Sequence, residues 1–363
     1  MTKNRSVPDV YILLATLGLL GIGVVMVYSA SAVLAFHEYG DSYYYLKRQL
    51  IFAGLGLVAM YFAMNLDYWV LKKYANVGLL VCFFLLVIVL LVGTERGGAK
   101  SWLGVGSFGI QPSEFMKLAM VVFMAKLLSE SQAMLSRFTT GLLPPLGLLG
   151  LAFGLIMLQP DLGSGAVLVG STMIIIYTAG ARISHLSFLA LVGVAGFVGL
   201  ILTAPYRMAR ITGFLNPWSD PLGTGYQIIQ SLYAIGPGGL VGLGLGASRQ
   251  KHSYLPEPQT DFIFSIVAEE LGFIGGSLVL LLFLLLVWRG MRTAITAPDT
   301  FGSLLAVGII GIFAVQVFIN IGVVIGMLPV TGITLPLISA GGSSLTLLLT
   351  AIGILLNVSR YSR

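Results

Sequence analysis

The chain has 363 residues, of which 57% are hydrophobic and only 9% are charged, with a formal net charge of +6. Soluble domains carry about 25% charged residues, so this composition excludes an ordinary soluble protein. The positive charge does not indicate nucleic acid, because Lys and Arg stand in short clusters between apolar runs. The one cysteine, Cys82, excludes an intramolecular disulfide and a thiolate metal cluster.

Apolar runs of roughly the length that crosses a bilayer follow one another along the whole chain. They lie at 10–35, 50–64, 75–93, 112–128, 142–158, 164–179, 186–204, 264–288, 301–325 and 342–358. The first run is too long for the apolar region of a secretory signal peptide, so we interpret it as an uncleaved helix. The pattern predicts an all-α polytopic membrane protein of one domain, residues 1–363, with ten transmembrane helices.

The even number of spans places both termini on one side of the membrane. Lys and Arg are somewhat more frequent on that side, which predicts cytoplasmic termini by the positive-inside rule. Outward-facing cations are nevertheless numerous: Lys47, Arg48, Arg96, Lys100, Arg207, Arg210, Arg249 and Lys251. Either an anionic ligand at the outer surface or anionic lipid headgroups would explain them.

Two connections do not span: the segment 94–111, and the longer segment 205–263 between the seventh and eighth helices. With cytoplasmic termini, the longer segment is a large extracytoplasmic loop. It is rich in Gly and Pro, and irregular backbone near membrane depth is tolerated only where it is buried in protein or lines a wet cavity. This loop is therefore the expected place for a site.

Asp261 is the strongest single candidate, because it stands where this polar loop enters an apolar helix. An acid at that boundary is costly unless it is paired or used, which indicates catalysis. The position also fits a helix N-cap, and the pattern leaves both roles open. Glu269 lies about 12 Å further along the predicted helix. Its side chain either approaches the same cavity as Asp261 or has a structural role inside the bundle.

Further candidates lie in the earlier connections and helix starts. Glu114 and Lys117 are three residues apart on one helix, a spacing that allows an ion pair, either as a structural bridge or as a wall of the site. Asp161 lies in a tight turn before a span and is interpreted first as a helix cap, with contact to substrate as its other predicted role. Trp102, beside Lys100, either anchors at the membrane interface or stacks on a sugar ring.

Several motifs, in order from the first span to the last, resemble one family. They are VYSAS at 27–31, GAKSW at 98–102, QPSEFMKL at 111–118, QPDLG at 159–163, TDFIF at 260–264, EELG at 269–272 and GGSS at 341–344. Over the whole chain they resemble the SEDS family (shape, elongation, division, sporulation), most closely its division and sporulation branch.

The resemblance implies ten helices and a multi-pass protein of the bacterial plasma membrane whose active site faces outward. It implies lipid II as the substrate and an essential aspartate, which is Asp261 here. It also implies a class B penicillin-binding protein as the crosslinking partner, together with divisome or sporulation proteins, in septal or spore-cortex cell-wall synthesis.

The expected activity is that of an inverting peptidoglycan glycosyltransferase that joins lipid II into β-1,4-linked strands. Asp261 is expected to deprotonate or orient the acceptor 4-hydroxyl of GlcNAc, and one carboxylate can suffice because a diphosphate leaving group needs less acid assistance than glycoside hydrolysis does. Lys100, Arg207, Arg210 and Lys117 are expected to stabilise the departing diphosphate, with or without a divalent cation (Mg or Mn) held partly by Asp261. Two alternatives are a lipid II flippase and a scaffold that recruits the transpeptidase.

Overall fold

A computed structural model describes residues 6–96, 99–105, 108–132, 135, 137–202, 205–252 and 254–362. Its helices are α1 (Val10–Tyr39), α2 (Tyr44–Asn65), α3 (Tyr68–Val92), α4 (Pro112–Glu130), α5 (Leu143–Met157), α6 (Leu162–Thr178), α7 (Ile183–Leu202), α8 (Pro205–Leu215), α9 (Tyr226–Ile235), α10 (Ile263–Ile295), α11 (Thr300–Val324) and α12 (Gly342–Ser359). A π-helical turn, Phe138–Leu142, precedes α5. Every predicted apolar run overlaps one of these helices.

Seven helical stretches in the described part of the chain are long and apolar enough to cross a membrane. They are α1, α2, α3, the continuous stretch Phe138–Met157, α10, α11 and α12. The apolar helix α6 and the segment Ile183–Gly196 of α7 are shorter. The 19 residues of α4 include four charged side chains, which make it less apolar than a simple span. The protein is therefore a mostly helical, multi-pass membrane protein.

The centre of the bundle is formed by α11 and α12. Buried residues make up 67% of the apolar stretch of α11 and 72% of that of α12, against 22% for α2. α11 packs against α4, α6 and α10, and α12 packs against α2. Glycine allows α12 and α2 to approach each other closely, because a Cβ built on Gly353 of α12 would lie 2.4 Å from the carbonyl oxygen of Met60 in α2.

The connection 94–111 contains a small antiparallel sheet that the sequence does not predict. Its strands are β1 (Thr94–Arg96), β2 (Ala99–Val105) and β3 (Phe108–Ile110), with β2 in the middle. The register pairs Thr94 with Trp102 and Leu103 with Ile110. Strands this short carry too little alternation of apolar and polar residues to be recognised. The all-α prediction is right for the bundle and incomplete for this connection.

The loop 205–263 is also more regular than expected, because α8 and α9 lie within it. α9 buries Ile228, Ile229 and Ala234. α9 has ten residues, whereas a helix that crosses a bilayer needs about 20, so hydropathy along the sequence does not reveal it.

Candidate active site

The N-terminal ends of α4, α6 and α12 meet at one end of the bundle. Ser113, in the first turn of α4, donates a hydrogen bond to Asp161 Oδ2 at 3.2 Å, and its Oγ lies 3.3 Å from Ser164 Oγ, at the start of α6. Ser344, in the first turn of α12, donates to Glu114 Oε2 of α4 at 3.1 Å. Helix N-termini carry partial positive charge and bind anions, so this end of the bundle favours a negatively charged ligand.

The start of α10 joins the same group of helix ends through its preceding backbone. Three successive carbonyl oxygens, of residues 259, 260 and 261, each accept a hydrogen bond, two from the segment before α12 and one from α11. The donors are the Ala340 backbone nitrogen to Gln259 at 2.8 Å, Ser339 Oγ to Thr260 at 2.6 Å, and Asn320 Nδ2 to Asp261 at 2.8 Å. Ala340 adjoins Gly341, the N-cap of α12, so α10 and α12 begin side by side.

The half-buried Asp261 does not occupy the N-cap position of α10. That position is Phe262, and the helix begins at Ile263. A Cβ built on Gly332 would lie 3.7 Å from Asp261 Oδ2, so bare backbone faces the carboxylate. Gly332 has φ of +75°, a backbone conformation that favours glycine. Capping from the N-cap position therefore does not explain Asp261.

Asp161 is the N-cap of α6, as its position in the sequence predicts. Its Oδ1 accepts a hydrogen bond from the Ser164 backbone nitrogen at 3.0 Å, and its Oδ2 accepts one from Gln111 Nε2 at 2.8 Å. Asp161 thus has protein partners on both oxygens. Its predicted contact with substrate stays a prediction.

The segment 331–333 lies between the start of α6 and Asp261. A Cβ on Gly163 would lie 2.9 Å from the Thr331 carbonyl oxygen, while Gly332 faces the Asp261 carboxylate. The first turn of α6 and Asp261 therefore flank the same three residues. Because Asp261 directly precedes α10, its contact with Gly332 places the N-terminus of α10 near those of α4, α6 and α12.

The predicted ion pair between Glu114 and Lys117 is present and buried. Lys117 Nζ donates to Glu114 Oε1 at 2.7 Å, and their side chains are 4% and 9% exposed. Ser344 occupies the other carboxylate oxygen. An ammonium has three donors, and Glu114 is the hydrogen-bond partner of Lys117 within the described ranges. Two donors of Lys117 are therefore suited to a ligand.

Lys100 contacts the end of a helix. Its Nζ donates at 3.3 Å to the carbonyl oxygens of Leu90 and Leu91, in the last turn of α3, which is a favourable place for a cation. Trp102 is partly buried in β2. Arg207 and Arg210 belong to α8, but their side chains lie outside the described part of the structure. The predicted substrate contacts of these four residues stay predictions.

Several of the cations that the sequence predicts to face outward have partners within the protein. Lys47 Nζ lies 2.7 Å from Asp41 Oδ2, and Lys251 Nζ lies 3.0 Å from Glu270 Oε1. Together with Lys100, these residues need no anionic ligand to explain them. The number of cations predicted to face outward is therefore weaker support for such a ligand than the sequence alone indicates.

Glu269 belongs to a buried cluster. Its Oε2 accepts a hydrogen bond from Ser248 Oγ at 2.5 Å. The neighbouring Glu270 accepts from Lys251 Nζ at 3.0 Å and from Ser29 Oγ of α1 at 2.7 Å. Both acids are 1% exposed or less. These partners fit the structural role inside the bundle, and contact of Glu269 with substrate stays a prediction.

A break at Gly272 joins α10 to the loop beside this cluster. Gly272 has φ of 65° and ψ of −163°, so the helix is interrupted there. The four backbone groups that a continuous helix would pair with each other bond to the loop 239–244 instead. These bonds are Leu243 N to Glu269 O, Gly244 N to Glu270 O, Phe273 N to Gly239 O and Ile274 N to Leu240 O. These four bonds give the interrupted backbone N–H and C=O groups hydrogen-bond partners, which they need in apolar surroundings.

The side chains that prefer metal ions are dispersed. No group of three or more His, Cys, Asp or Glu side chains that could hold a metal ion occurs among the residues that the structure describes. A divalent cation at Asp261 would need most of its ligands from substrate phosphates and water. The donors present do not fit a resident metal, and we assign no step to one.

Comparison with known proteins identifies the family. Residues 10–363 match the FtsW/RodA/SpoVE family of cell cycle proteins. The chain belongs to this family. Stage V sporulation protein E of Bacillus subtilis (strain 168) is 61% identical and aligns over 100% of both chains. A probable peptidoglycan glycosyltransferase FtsW of Geobacter metallireducens is 44% identical over 97% of this chain and 94% of that protein.

Solved structures show the same fold. One chain from a peptidoglycan synthase complex, described as coordinating polymerization and crosslinking, has a TM-score of 0.80 and 32% identity, covering 97% of this chain and 98% of that one. RodA of Thermus thermophilus has a TM-score of 0.73 and 30% identity, covering 97% of each chain. The family predicted from the sequence motifs, with its division and sporulation branch, is confirmed.

Sequence reasoning missed the polar partners of the candidate acids. Ser113 and Ser344 lie inside motifs that resemble this family, so a signal for them was present. Ser339 and Asn320 have no such signal: the serine precedes the GGSS motif, and the asparagine lies in an apolar helix outside every motif. Their importance becomes visible only from the contacts across the fold.

Proposed function

We propose that this FtsW/RodA/SpoVE protein is a peptidoglycan glycosyltransferase that polymerises lipid II into β-1,4-linked glycan strands and releases undecaprenyl diphosphate. FtsW relatives described as probable peptidoglycan glycosyltransferases support the reaction class. The observation that carries the proposal is the series of contacts that links Asp261, through residues 331–333 and 339–340, to the N-terminal ends of α4, α6, α10 and α12. A base next to an anion site is what glycosyl transfer from a diphosphate donor requires.

The proposed topology places this site at the outer face of the bacterial plasma membrane. The helices α1 to α7 and α10 to α12 are the ten spans of one membrane domain, residues 1–363, and both termini are cytoplasmic. The positive-inside bias supports this orientation. The loop 205–263, with α8 and α9, then forms the extracytoplasmic cover of the site.

In the proposed reaction, Asp261 accepts the proton of the 4-hydroxyl on the acceptor GlcNAc. The hydroxyl oxygen forms a bond to the anomeric carbon of the donor MurNAc, on the face opposite the diphosphate. The bond from that carbon to the diphosphate oxygen breaks, and the diphosphate leaves with the electron pair. The anomeric configuration inverts and gives a β-1,4 linkage. Because diphosphate is already a stable anion, one carboxylate base is enough.

The departing diphosphate is proposed to bind at the helix N-termini. The N-cap residues of α4, α10 and α12, which are Gln111, Phe262 and Gly341, make no side-chain capping bond, which supports binding of an anion at these helix ends. The remaining donors of Lys117 add positive charge from α4. Arg207 and Arg210 are proposed to contact the phosphates from the side of the loop.

A class B penicillin-binding protein is the proposed partner, and it would crosslink the strands that this protein makes. A similar chain in a peptidoglycan synthase complex, described as coordinating polymerization and crosslinking, supports the pairing. Divisome or sporulation proteins are proposed to recruit the pair for septal or spore-cortex synthesis, in line with the 61% identity to a stage V sporulation protein.

The test is glycan formation from purified lipid II by the full chain, reconstituted in vesicles with its class B partner. The proposal expects polymer on gels and release of undecaprenyl diphosphate in equal amount to the bonds formed. A parallel set of vesicles carries fluorescent lipid II in one leaflet. If no polymer formed while the labelled lipid crossed the bilayer, the protein would be a flippase. If neither occurred, the scaffold alternative would replace the proposal.

A further inference from the structure

The residue that carries the candidate base is tied to one buried amide, that of Asn320 in α11. Asn320 Nδ2 donates one hydrogen bond to the Asp261 carbonyl oxygen at 2.8 Å and a second to the Ile333 carbonyl oxygen at 2.7 Å. The residue is 1% exposed. One side chain therefore fixes the backbone of Asp261 and the backbone of the segment that faces its carboxylate.

Two further side chains stabilise the segment that Asn320 contacts. Gln316, one turn earlier on α11, donates from Nε2 to the Thr334 carbonyl oxygen at 3.0 Å. Ser339 Oγ accepts from the Leu335 backbone nitrogen at 2.8 Å while it donates to residue 260. These bonds hold the segment 333–339 in place. Asn320 extends from this framework to the backbone of Asp261 itself.

We propose that Asn320 is a positioning residue for the glycosyl transfer, an inference that rests on the proposed function. Its amide sets where the Asp261 carboxylate stands relative to the acceptor hydroxyl, and it does not itself touch substrate. A general base acts only within hydrogen-bond reach of its proton. A displacement of about 1 Å lowers a rate by about 100-fold. Loss of Asn320 therefore lowers kcat while the substrate contacts, and hence KM, change little.

The chain offers a matched control in Asn357, near the end of α12. Asn357 is 0% exposed, and it also makes two hydrogen bonds that join separate elements. Its Nδ2 donates to the Met64 carbonyl oxygen at 2.8 Å, and its Oδ1 accepts from the Tyr68 backbone nitrogen at 3.0 Å. These contacts lie at the C-terminal end of α12, away from Asp261. Asn357→Ala thus removes an equally buried amide without touching the site.

The experiment measures polymerisation kinetics and melting temperature for wild type, Asn320→Ala, Asn320→Asp and Asn357→Ala in the full chain with its class B partner. Asn320→Asp keeps the shape of the side chain and replaces the donating amide with an acceptor. It tests the positioning role if the alanine variant does not fold. We expect both Asn320 variants to lose about 100-fold in kcat, with KM for lipid II within about 3-fold of wild type. Asn357→Ala is expected to lower the melting temperature and to keep kcat near wild type.

Equal losses of kcat at Asn320 and Asn357 would overturn the inference, since both would then act through stability. Retention of kcat in Asn320→Asp would also overturn it. An Asp261→Ala variant separates the two proposals. If wild type polymerises lipid II and Asp261→Ala does not, an active Asn320→Asp defeats the positioning role alone. If wild type itself makes no polymer, the proposed function fails and the positioning role fails with it.

Discussion

Removal of the Lys251 ammonium tests the cluster that holds the loop 239–252 on α10. Lys251→Met retains most of the length of the side chain and removes the charged group that lies 3.0 Å from Glu270 Oε1, whose side chain is 0% exposed. Loss of one partner from a buried ion pair costs about 3–5 kcal/mol, because the remaining charge stays in apolar surroundings. Ser29 and Ser248 still donate hydrogen bonds to Glu270, so we expect the lower end, about 3 kcal/mol.

Thermal unfolding monitored through Cys82 measures this loss. Cys82 is the only cysteine in the sequence and is buried, so a dye that fluoresces on reaction with a thiol reports unfolding directly. In domains of 150–250 residues, 1 kcal/mol shifts the melting temperature by about 2–4 °C, and the shift is smaller in larger proteins. We therefore expect Lys251→Met to melt about 5 °C below wild type.

Two controls make the result specific to burial. Lys47→Met breaks a shorter ion pair, 2.7 Å from Asp41, but these side chains are 65% and 37% exposed, so the melting temperature should change little. The double variant Lys251→Met with Glu270→Gln removes the stranded charge and should recover more than half of the lost temperature. The reasoning is refuted if Lys251→Met melts like wild type, or if the double variant is no more stable than the single one.

Two further substitutions test the helix break and the contact with Glu114. Gly272→Ala should lower the folded yield and the melting temperature, because its Cβ would lie 2.3 Å from a backbone nitrogen of the facing loop. Gly276→Ala on the same helix is the control: its Cβ would lie 3.5 Å from the nearest atom, so yield and melting temperature should not change. Ser344→Ala removes the hydrogen bond to Glu114 and should slow polymerisation by about 5-fold, from a bond of about 1 kcal/mol. Ser343→Ala is the control, because that hydroxyl makes no hydrogen bond within the described structure; equal rates in the two variants would contradict the assignment.

The sequence predicts the helices well because the length and hydropathy of a run are local properties. The run at 301–325 coincides with α11 almost residue for residue. The position of Asp261 at the end of a polar loop is likewise visible locally, and the N-cap role of Asp161 follows from its turn. The spacing of Glu114 and Lys117 predicts their ion pair, since one helical turn brings them together.

Contacts between distant parts of the chain could not be predicted in this way. Ser29 lies 241 positions before Glu270, and nothing near either residue indicates that they meet. Lys251 looked like a free outward cation until the fold placed it against Glu270. The break at Gly272 depends on the backbone of the loop 239–244, which replaces the missing helical bonds. Asn320 stands 59 positions after Asp261, and its role follows from packing alone.

The central claim is that Asp261 is the base of a lipid II polymerase, and one rate comparison tests it most directly. Polymerisation by wild type is compared with Asp261→Asn and with Asp220→Asn, an exposed aspartate of the same loop whose carboxylate accepts a hydrogen bond from the Thr224 backbone nitrogen. Amounts of folded protein are matched by the Cys82 melting curve. Asp261→Asn is predicted to lose about 100-fold or more in kcat, the contribution of a general base, while Asp220→Asn stays near wild type. An Asp261→Asn variant that polymerises lipid II as fast as Asp220→Asn would contradict the account.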